Sequence, residues 1–186
     1  MERREERHMR EAKFLIVVDM QVDFIDGSLG TPEAEAIVPA VAARIREARA
    51  AGEHVIATLD THPEHYLDTA EGKKLPVRHC IRGSAGWQLN PEIEAALGDS
   101  PRLEKPTFGS VRLPERVRAL AGDADTLRIE LVGLCTDICV VSNALLLKAH
   151  FPEAAIAVRR DCCAGVTPEK HAAALETMAS CQIDIL

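Results

Sequence analysis

The sequence predicts an α/β fold in which a six-stranded, doubly wound and mostly parallel sheet has helices on both faces. Short apolar runs, typical of strands buried on both faces, alternate along the chain with longer segments of helical periodicity. Such alternation indicates parallel strands that are joined by crossover helices. No internal repeat or linker-like tract interrupts the pattern, so a single domain is expected.

The first two apolar runs, 13–19 and 54–60, each finish on an aspartate, Asp19 and Asp60. Continuous runs of this length indicate central parallel strands, and their last residues lie at the carboxyl edge of the sheet. Open α/β sheets bind their ligands at that edge. The other four strands are predicted at 102–105, 129–132, 154–160 and 182–186.

Helical periodicity fills the segments between these runs. In the segment 33–51, apolar residues recur at three- and four-residue spacing. Because proline favours the first turn of a helix, this helix is expected to begin near Pro39. Thr167 and Pro168 form a typical helix start, which places the last helix over 167–180. Two further helices are predicted at 113–121 and 138–149.

Composition limits the classes of function. The formal net charge of −7 on 186 residues argues against nucleic acid or an anionic membrane as the main partner. No apolar run approaches a membrane span, and residues 1–12 lack the apolar centre of a signal peptide. The six cysteines are therefore expected to be free thiols in a reducing cytoplasm. We expect a charged arm at 1–12 and one domain at 13–186.

The stretch 130–151 supplies a candidate nucleophile. A buried strand, a break at Gly133 and a helix start bring Cys139 to the first turn of a helix at the carboxyl edge of the sheet. Amide groups and the helix dipole favour a thiolate at such a position, so the pKa of Cys139 is expected to be lowered. The alternative is a core cysteine, which is the commoner role of a lone cysteine in an apolar helix.

Asp19 and Lys105 end strands at the same edge as Cys139. Asp19 is placed to take the thiol proton and to return it to a leaving amine. Lys105 would hold both groups by its charge, and the amides of Cys135 and Cys139 are candidate donors to an oxyanion. Each residue also has a structural alternative, such as a turn cap or a solvated lysine, and it is their conjunction that indicates a site.

A second cluster of polar residues follows the second predicted strand, in a segment that is expected to be irregular as far as about residue 101. Asp60 and His62 share one face because alternate residues of a strand do so, and His79 returns through the loop. These oxygen and nitrogen ligands suit zinc, manganese or iron. Glu71 is a possible extra ligand and His65 a weaker one.

The cysteines also allow a protein of a different class. Four of them could form a structural zinc site, and the chain would then be a zinc-stabilised, non-catalytic binding protein. Their spacing lacks the two well-separated pairs that are typical of such sites. The four residues are Cys135, Cys139, Cys162 and Cys163.

Three segments resemble the isochorismatase-like cysteine hydrolases, among which the nicotinamidases are the most similar. They are IVVDMQVDF at 16–24, TLDTH at 58–62 and VGLCTDICV at 132–140. The match runs from about Lys13 to the C-terminus. The resemblance implies a three-layer α/β sandwich whose six-stranded, mostly parallel sheet has a Rossmann-like strand order, and it implies an oligomer.

The same resemblance implies a role for each member of the first cluster. Cys139 would be a nucleophile that forms a thioester, Asp19 a proton shuttle and Lys105 the third member of a triad. A cis peptide bond between Leu134 and Cys135 is implied beside the oxyanion.

For the second cluster, the resemblance implies one divalent metal ion held by Asp60, His62 and His79, with Glu71 at a compatible place. Zinc is the first expectation for its identity, with manganese or iron as alternatives.

The substrate pocket departs from the family pattern. Phe24 and Trp87 are the implied aromatic walls, but Thr61 stands where the family usually has an aromatic residue. Cys135 stands where a small alanine is common, and we interpret it as a packing residue rather than a second reactive thiol. The catalytic and metal-binding residue types are nevertheless all present.

The sequence is therefore expected to encode a metal-assisted cysteine amidohydrolase that converts nicotinamide to nicotinate and ammonia for NAD salvage. The same-fold alternative is an amidase or carbamoyl hydrolase that acts on another small substrate. The expected partners are a small-molecule amide and other copies of the chain in a homo-oligomer, with no nucleic acid or membrane.

Overall fold

A computed structural model describes residues 9–186, so residues 1–8, and with them most of the predicted charged arm, lie outside the described part. One sheet contains β1 (Glu11–Val18), β2 (His54–Asp60), β3 (Arg102–Lys105), β4 (Thr126–Leu134), β5 (Ala155–Ala164) and β6 (Asp184–Ile185). All its strands are parallel, in the order β3-β2-β1-β4-β5-β6. This is the order of a doubly wound, Rossmann-like sheet, and it confirms the predicted fold class.

Helices cover both faces of the sheet. They are α1 (Val22–Ile25), α2 (Pro32–Ala50), α3 (Ala70–Lys74), α4 (Pro91–Leu97), α5 (Leu113–Ala121), α6 (Val141–His150) and α7 (Pro168–Ser180). Leu15 and Val17 of β1 pack in one core with α2 and α4, whereas Phe14 and Ile16 pack in the other with α5, α6 and α7. Because alternate residues of a strand face opposite ways, a continuous apolar strand supplies both cores.

Two predictions about local structure are wrong. Helix α2 does not begin near Pro39, because Pro32 occupies its first turn and the hydroxyl of Thr31 accepts a hydrogen bond from the amide of Ala34. Pro39 therefore lies inside the helix, where its ring faces solvent. The segment 61–101 is also less irregular than expected, since it contains a 3-10 turn, Tyr66–Asp68, together with α3 and α4.

The strand order brings the chemically interesting residues to one place. Strand β1 lies between β2 and β4: the strands before β4 are added on one side of β1 and the later ones on the other, so the strand order reverses beside β1. A crevice at the carboxyl ends of the strands is expected at such a point. Asp19 follows β1, Asp60 and Lys105 end β2 and β3, and Cys135 follows β4. Among the described residues, no helix is long and apolar enough to cross a membrane.

Candidate active site

The candidate nucleophile lies just beyond the end of β4. The peptide bond between Leu134 and Cys135 is cis, at the position that the family resemblance implies. Residues Thr136–Val140 then form a π-helical turn, and α6 begins at Val141. Cys139 thus belongs to the π-helical turn rather than to the first turn of an α-helix, and it is buried.

Lys105 stands at the centre of the predicted triad. Its ammonium nitrogen lies 2.6 Å from Oδ2 of Asp19 and 3.4 Å from the sulfur of Cys139. The same nitrogen lies 3.3 Å from Oδ1 of Asp60. All four side chains are buried. The structure therefore brings Asp19, Lys105 and Cys139 together, with the metal-site aspartate as a further partner of the lysine.

Asp19 is fixed by the neighbouring strand. Its backbone is in the left-handed region, with φ of +47°, and its amide donates to the carbonyl of Thr58 at 3.2 Å. The hydroxyl of Thr58 donates to Oδ1 of Asp19 at 2.7 Å. Aspartate tolerates the left-handed region better than most residues do. Both contacts follow from the register of the sheet, because Val18 is paired with Thr58.

Burial is the largest single influence on the pKa values of the three residues of the predicted triad. It raises the pKa of the Cys139 thiol well above its usual value, and the charge of Asp19 raises it further. Burial also raises the pKa of Asp19, and the positive charge of Lys105 only partly opposes this. Burial disfavours the charged form of Lys105, but Asp19 and Cys139 outweigh it and raise the lysine pKa. The expectation of a lowered pKa for Cys139 is therefore wrong.

Three predicted metal ligands converge at the end of β2. Within residues 9–186, Asp60, His62 and His79 form the one group of three or more candidate ligands whose ligand atoms lie close together, all within 4.8 Å. Oδ2 of Asp60 lies 3.0 Å from Nε2 of His62 and 3.7 Å from Nε2 of His79. Oε1 of Glu71 lies 3.6 Å and 3.8 Å from the same two nitrogens.

These spacings fit a tetrahedral divalent cation. Any two ligands of a tetrahedral zinc ion, each about 2.1 Å from it, lie about 3.4 Å apart, and the four separations given above lie on either side of that value. The buried Nε2 of His62 has no hydrogen-bond partner of good geometry among the described residues, which is unusual for a buried polar atom. Nδ1 of His79 donates to the carbonyl of Val77 at 2.8 Å, which leaves Nε2 as the ligand atom. The donor set thus fits a metal.

The aspartate of this cluster is held in its charged form. Burial by itself raises the pKa of Asp60, but the neighbouring imidazoles of His62 and His79 and the charge of Lys105 outweigh it and lower the pKa below its usual range. For His79, burial lowers the pKa and Asp60 more than compensates, so that the pKa is raised. An anionic oxygen beside two imidazoles is the arrangement that a cation prefers.

Tyr66 supports the two histidines, a role that the sequence did not reveal. Its buried ring lies 4.6 Å from the ring of His62 and 5.0 Å from that of His79, and its hydroxyl donates to the carbonyl of Leu75. His65, the weaker candidate ligand, is exposed and lies outside the cluster. A short helical turn explains both positions, because it turns Tyr66 inward and His65 outward.

A cavity of about 280 Å³ connects the two clusters. Asp60, His79 and Cys139 contribute its reactive groups, and the exposed Lys170 is at its edge. Its volume is at the small end of the range for ligand pockets, so it suits a small, largely apolar molecule. The apolar wall consists of Phe24, Leu29, Ala34, Leu75, Phe108, Leu134, Ile138 and Val166.

The structure separates the two predicted aromatic walls. Phe24 lines the cavity, and its ring lies 5.6 Å from that of His79. Trp87 does not line it, because its indole nitrogen donates to the hydroxyl of Thr61 at 2.9 Å and its ring packs against the core. Phe108 is the second aromatic residue of the wall, and a role for Trp87 in the substrate pocket stays a prediction. Cys135 also lines the cavity.

The four-cysteine zinc site is not formed. Cys162 and Cys163 are consecutive in β5, so they pack into the cores on opposite faces of the sheet. Cys139 packs with Cys163, whereas Cys135 packs on the side of Cys162. All six cysteines are free.

Asn143 is a further residue that the sequence did not reveal. It is fully buried in α6, and its amide nitrogen donates to the carbonyls of Cys139 and Phe108 at 2.8 and 3.2 Å. Its oxygen accepts from the amide of Ser110. It thereby joins the turn that carries the thiol to the loop that supplies one cavity wall. An asparagine in an apolar helix was the available sequence signal, since a buried amide needs partners.

Known proteins resemble the chain over almost its whole length. An isochorismatase domain model matches residues 13–186. The nicotinamidase/pyrazinamidase of Mycobacterium tuberculosis is 28% identical over 187 residues, which cover 92% of this chain and 97% of that protein. The zinc complex of the pyrazinamidase of Pyrococcus horikoshii superposes with a TM-score of 0.80 and 30% identity, covering 94% of this chain and 98% of that one.

An amidase that is named for a different substrate is also similar to this chain. The N-carbamoylsarcosine amidase from Thermoplasma acidophilum superposes with a TM-score of 0.75 at 29% identity, covering 94% of this chain and 95% of that chain.

Proposed function

The chain belongs to the isochorismatase domain family of hydrolases, and from that premise we propose that it is a metal-assisted cysteine amidohydrolase that converts nicotinamide to nicotinate and ammonia. The observation that carries the proposal is the cavity in which Cys139, paired with Lys105, lies beside the cluster of Asp60 and His79. Two similar proteins are a nicotinamidase/pyrazinamidase and a zinc-bound pyrazinamidase, which supports this substrate class.

In the first half of the proposed reaction, the sulfur of Cys139 attacks the carboxamide carbon and the thiol proton passes to Asp19. A tetrahedral adduct forms, and amides of Cys135 and Cys139 are the proposed donors to its oxyanion. The carbon–nitrogen bond then breaks, and Asp19 returns the proton to the nitrogen, which leaves as ammonia. The acyl group remains on Cys139 as a thioester.

In the second half, Asp19 takes a proton from a water molecule whose oxygen attacks the thioester carbon. The carbon–sulfur bond breaks, the proton on Asp19 returns to the sulfur, and the product leaves as nicotinate after its new carboxyl group releases a proton to solvent. Lys105 stays positively charged through both halves and stabilises whichever neighbour is the anion. Burial raises the pKa of the Cys139 thiol, so a base is needed to take its proton. Burial also raises the pKa of Asp19, which makes its carboxylate a stronger base.

Asp60, His62 and His79 would hold the metal ion and leave a coordination position for the substrate, and Glu71 lies close enough to His62 and His79 to act as an extra ligand when no substrate is bound. A bound divalent cation, zinc in first place and manganese or iron as alternatives, would bind the ring nitrogen of the substrate and orient its carboxamide. The apolar wall, including Phe24, would pack on the ring.

The second candidate function is hydrolysis of another small amide or a carbamoyl compound. Similarity to an N-carbamoylsarcosine amidase favours it, and so does the position of Trp87 outside the cavity. We also propose that residues 13–186 form a single domain that acts as a homo-oligomer in the cytoplasm.

Ammonia release from nicotinamide by the wild type and by Cys139→Ala, with and without a chelator, tests the proposal. Activity that is absent in the variant and falls with the chelator supports the nucleophile, the metal and the substrate together. A metal-loaded wild type that releases no ammonia from nicotinamide would overturn the substrate. Small amides and carbamoyl compounds would then be assayed in the same way to test the second candidate.

A further inference from the structure

The chain that leaves β1 supports the loop that carries the metal-site histidines. The amide of Val22 donates to the carbonyl of Gln88, and the amide of Asp23 donates to that of Gly86, both at 2.9 Å. The side chain of Gln21 is fully buried and fixes Asp60, because its oxygen accepts from the Asp60 amide at 2.7 Å and its nitrogen donates to the Asp60 carbonyl at 2.9 Å. The backbone of Asp60 is thus held by the segment that follows β1.

Asp23 holds Cys80, the residue that connects the two histidines. Its Oδ2 accepts a hydrogen bond of 2.7 Å from the amide of Cys80. The carbonyl of Cys80 in turn accepts from the amide of His62 at 2.9 Å, and Cys80 directly follows His79 in the chain. Cys80 therefore links the backbones of His62 and His79, and Asp23 holds Cys80.

The conformation of Cys80 shows why it needs to be held. Its φ is +45°, in the left-handed region that residues with a side chain other than glycine, asparagine or aspartate seldom adopt. Such a conformation persists where the surrounding contacts enforce it. Cys80 has two hydrogen bonds, one donated by its N–H to Asp23 and one accepted by its carbonyl from His62, and they supply that enforcement.

We propose that Asp23 is a positioning residue of the metal site: its carboxylate holds Cys80 and so fixes the spacing of His62 and His79 without contacting the metal. The inference rests on the metal site in the proposed function. Outer partners of this kind change metal affinity by about 10- to 100-fold in known metal sites.

Gly86 offers an independent way to disturb the same contact. A Cβ atom at this position would lie 2.1 Å from Oδ2 of Asp23, which is the oxygen that accepts from Cys80. Since the obstacle is the end of a flexible side chain, Gly86→Ala is expected to displace the carboxylate. The sequence of residues 78–80 stays intact in this variant.

The experiment measures the zinc affinity of metal-free full-length protein by competition with a chromophoric chelator. Asp23→Ala and Gly86→Ala are expected to bind zinc about 10- to 100-fold more weakly than the wild type. Asp23→Asn keeps an oxygen acceptor for the Cys80 amide and is expected to recover most of the affinity. Asp26→Ala is the matched control, because it removes the same charge from an exposed side chain in the same turn.

Two further readouts separate positioning from a loss of the fold. The thermal midpoint of each metal-free variant and the alkylation rate of its Cys139 are expected to stay near the wild-type values. Unchanged zinc affinity in Asp23→Ala overturns the inference, as does an Asp23→Asn variant that is as weak as Asp23→Ala. A fall in affinity that is matched by Asp26→Ala also overturns it. A wild type that binds no zinc would instead overturn the proposed metal site.

Discussion

Lys105 and Asp19 form an ion pair that has no access to solvent. The ammonium nitrogen lies 2.6 Å from Oδ2 of the carboxylate, and neither side chain has any exposed surface. In a polar medium such a pair would contribute little, but in a buried site each charge depends on the other. The ammonium nitrogen of the lysine also lies 3.4 Å from the sulfur of Cys139, so the pair belongs both to the core and to the proposed active site.

Lys105→Met tests this dependence. The substitution keeps the length of the side chain but leaves the buried Asp19 without its cation, so the free energy of unfolding is expected to fall by about 3–5 kcal/mol. Urea unfolding measures the loss. The double variant with Asp19→Asn should recover part of it, and a double variant as unstable as the sum of both single variants would contradict the interpretation.

The two thiols that line the cavity should differ in function. Cys139→Ala is expected to lower ammonia release by at least about 10⁴-fold, because the attacking atom is lost. Cys135→Ala should keep most of the activity, since we interpret that side chain as packing. Steady-state ammonia assays compare the two variants. Acid-quenched mass spectrometry should find the acyl adduct on the peptide that contains Cys139, and an adduct on Cys135 would reverse the assignment.

Two histidines of the same loop provide a matched test of the metal site. His79→Ala removes a buried candidate ligand and is expected to weaken zinc binding by more than about 100-fold, beyond the usual effect of an outer partner. His65→Ala removes an exposed imidazole and should leave the affinity unchanged. Chelator competition on metal-free protein gives both values. Equal affinities in the two variants would exclude His79 as a ligand.

The buried ion network of Glu130 in β4 is expected to make the stability of the protein depend on pH in the acid range. Burial by itself raises the pKa of Glu130, but the hydrogen bonds from Arg159 at 2.6 Å and Arg44 at 3.0 Å outweigh it, and the pKa is lowered. A carboxyl group with a lowered pKa in the folded state adds stability above the unfolded-state pKa and loses it as the pH falls through the folded-state pKa.

Glu130→Gln is therefore expected to unfold more easily than the wild type by about 2 kcal/mol at neutral pH. The difference should shrink once the pH falls below the ordinary carboxyl pKa of 4.5. Chemical unfolding at several pH values measures it, with Glu47→Gln on the exposed side of α2 as the control. If the difference in stability between the wild type and Glu130→Gln does not depend on pH, the charge of Glu130 does not stabilise the folded protein.

The sheet was predictable because its central strands are buried on both faces and therefore form continuous apolar runs. The first three strands end within one residue of their predicted ends at Asp19, Asp60 and Lys105. Helix α2 was misjudged at Pro39 because two prolines competed for the first turn, and only the cap by Thr31 decides between them. The short helices after β2 have too few residues to show a period.

The site was less predictable than the sheet. Strand ends and residue types were enough to bring Cys139 beside Lys105, but the protonation of the thiol depends on burial, which a local pattern does not contain. The side-chain direction of Trp87 is set by its hydrogen bond to Thr61, a contact between distant residues. Thr58, Tyr66 and Asn143 were missed for the same reason.

Asp60 faces both halves of the site, with Oδ1 toward Lys105 and Oδ2 toward His62 and His79. A substitution of Asp60 therefore disturbs the proposed metal site and the proposed triad at once, so a loss of activity in that variant does not tell the two effects apart. The double role of Asp60 also constrains which substitutions evolution can accept at this position. A substitution of residue 60 that changes the metal preference of the proposed site also changes the surroundings of Lys105, so the two halves of this site are expected to evolve as one unit.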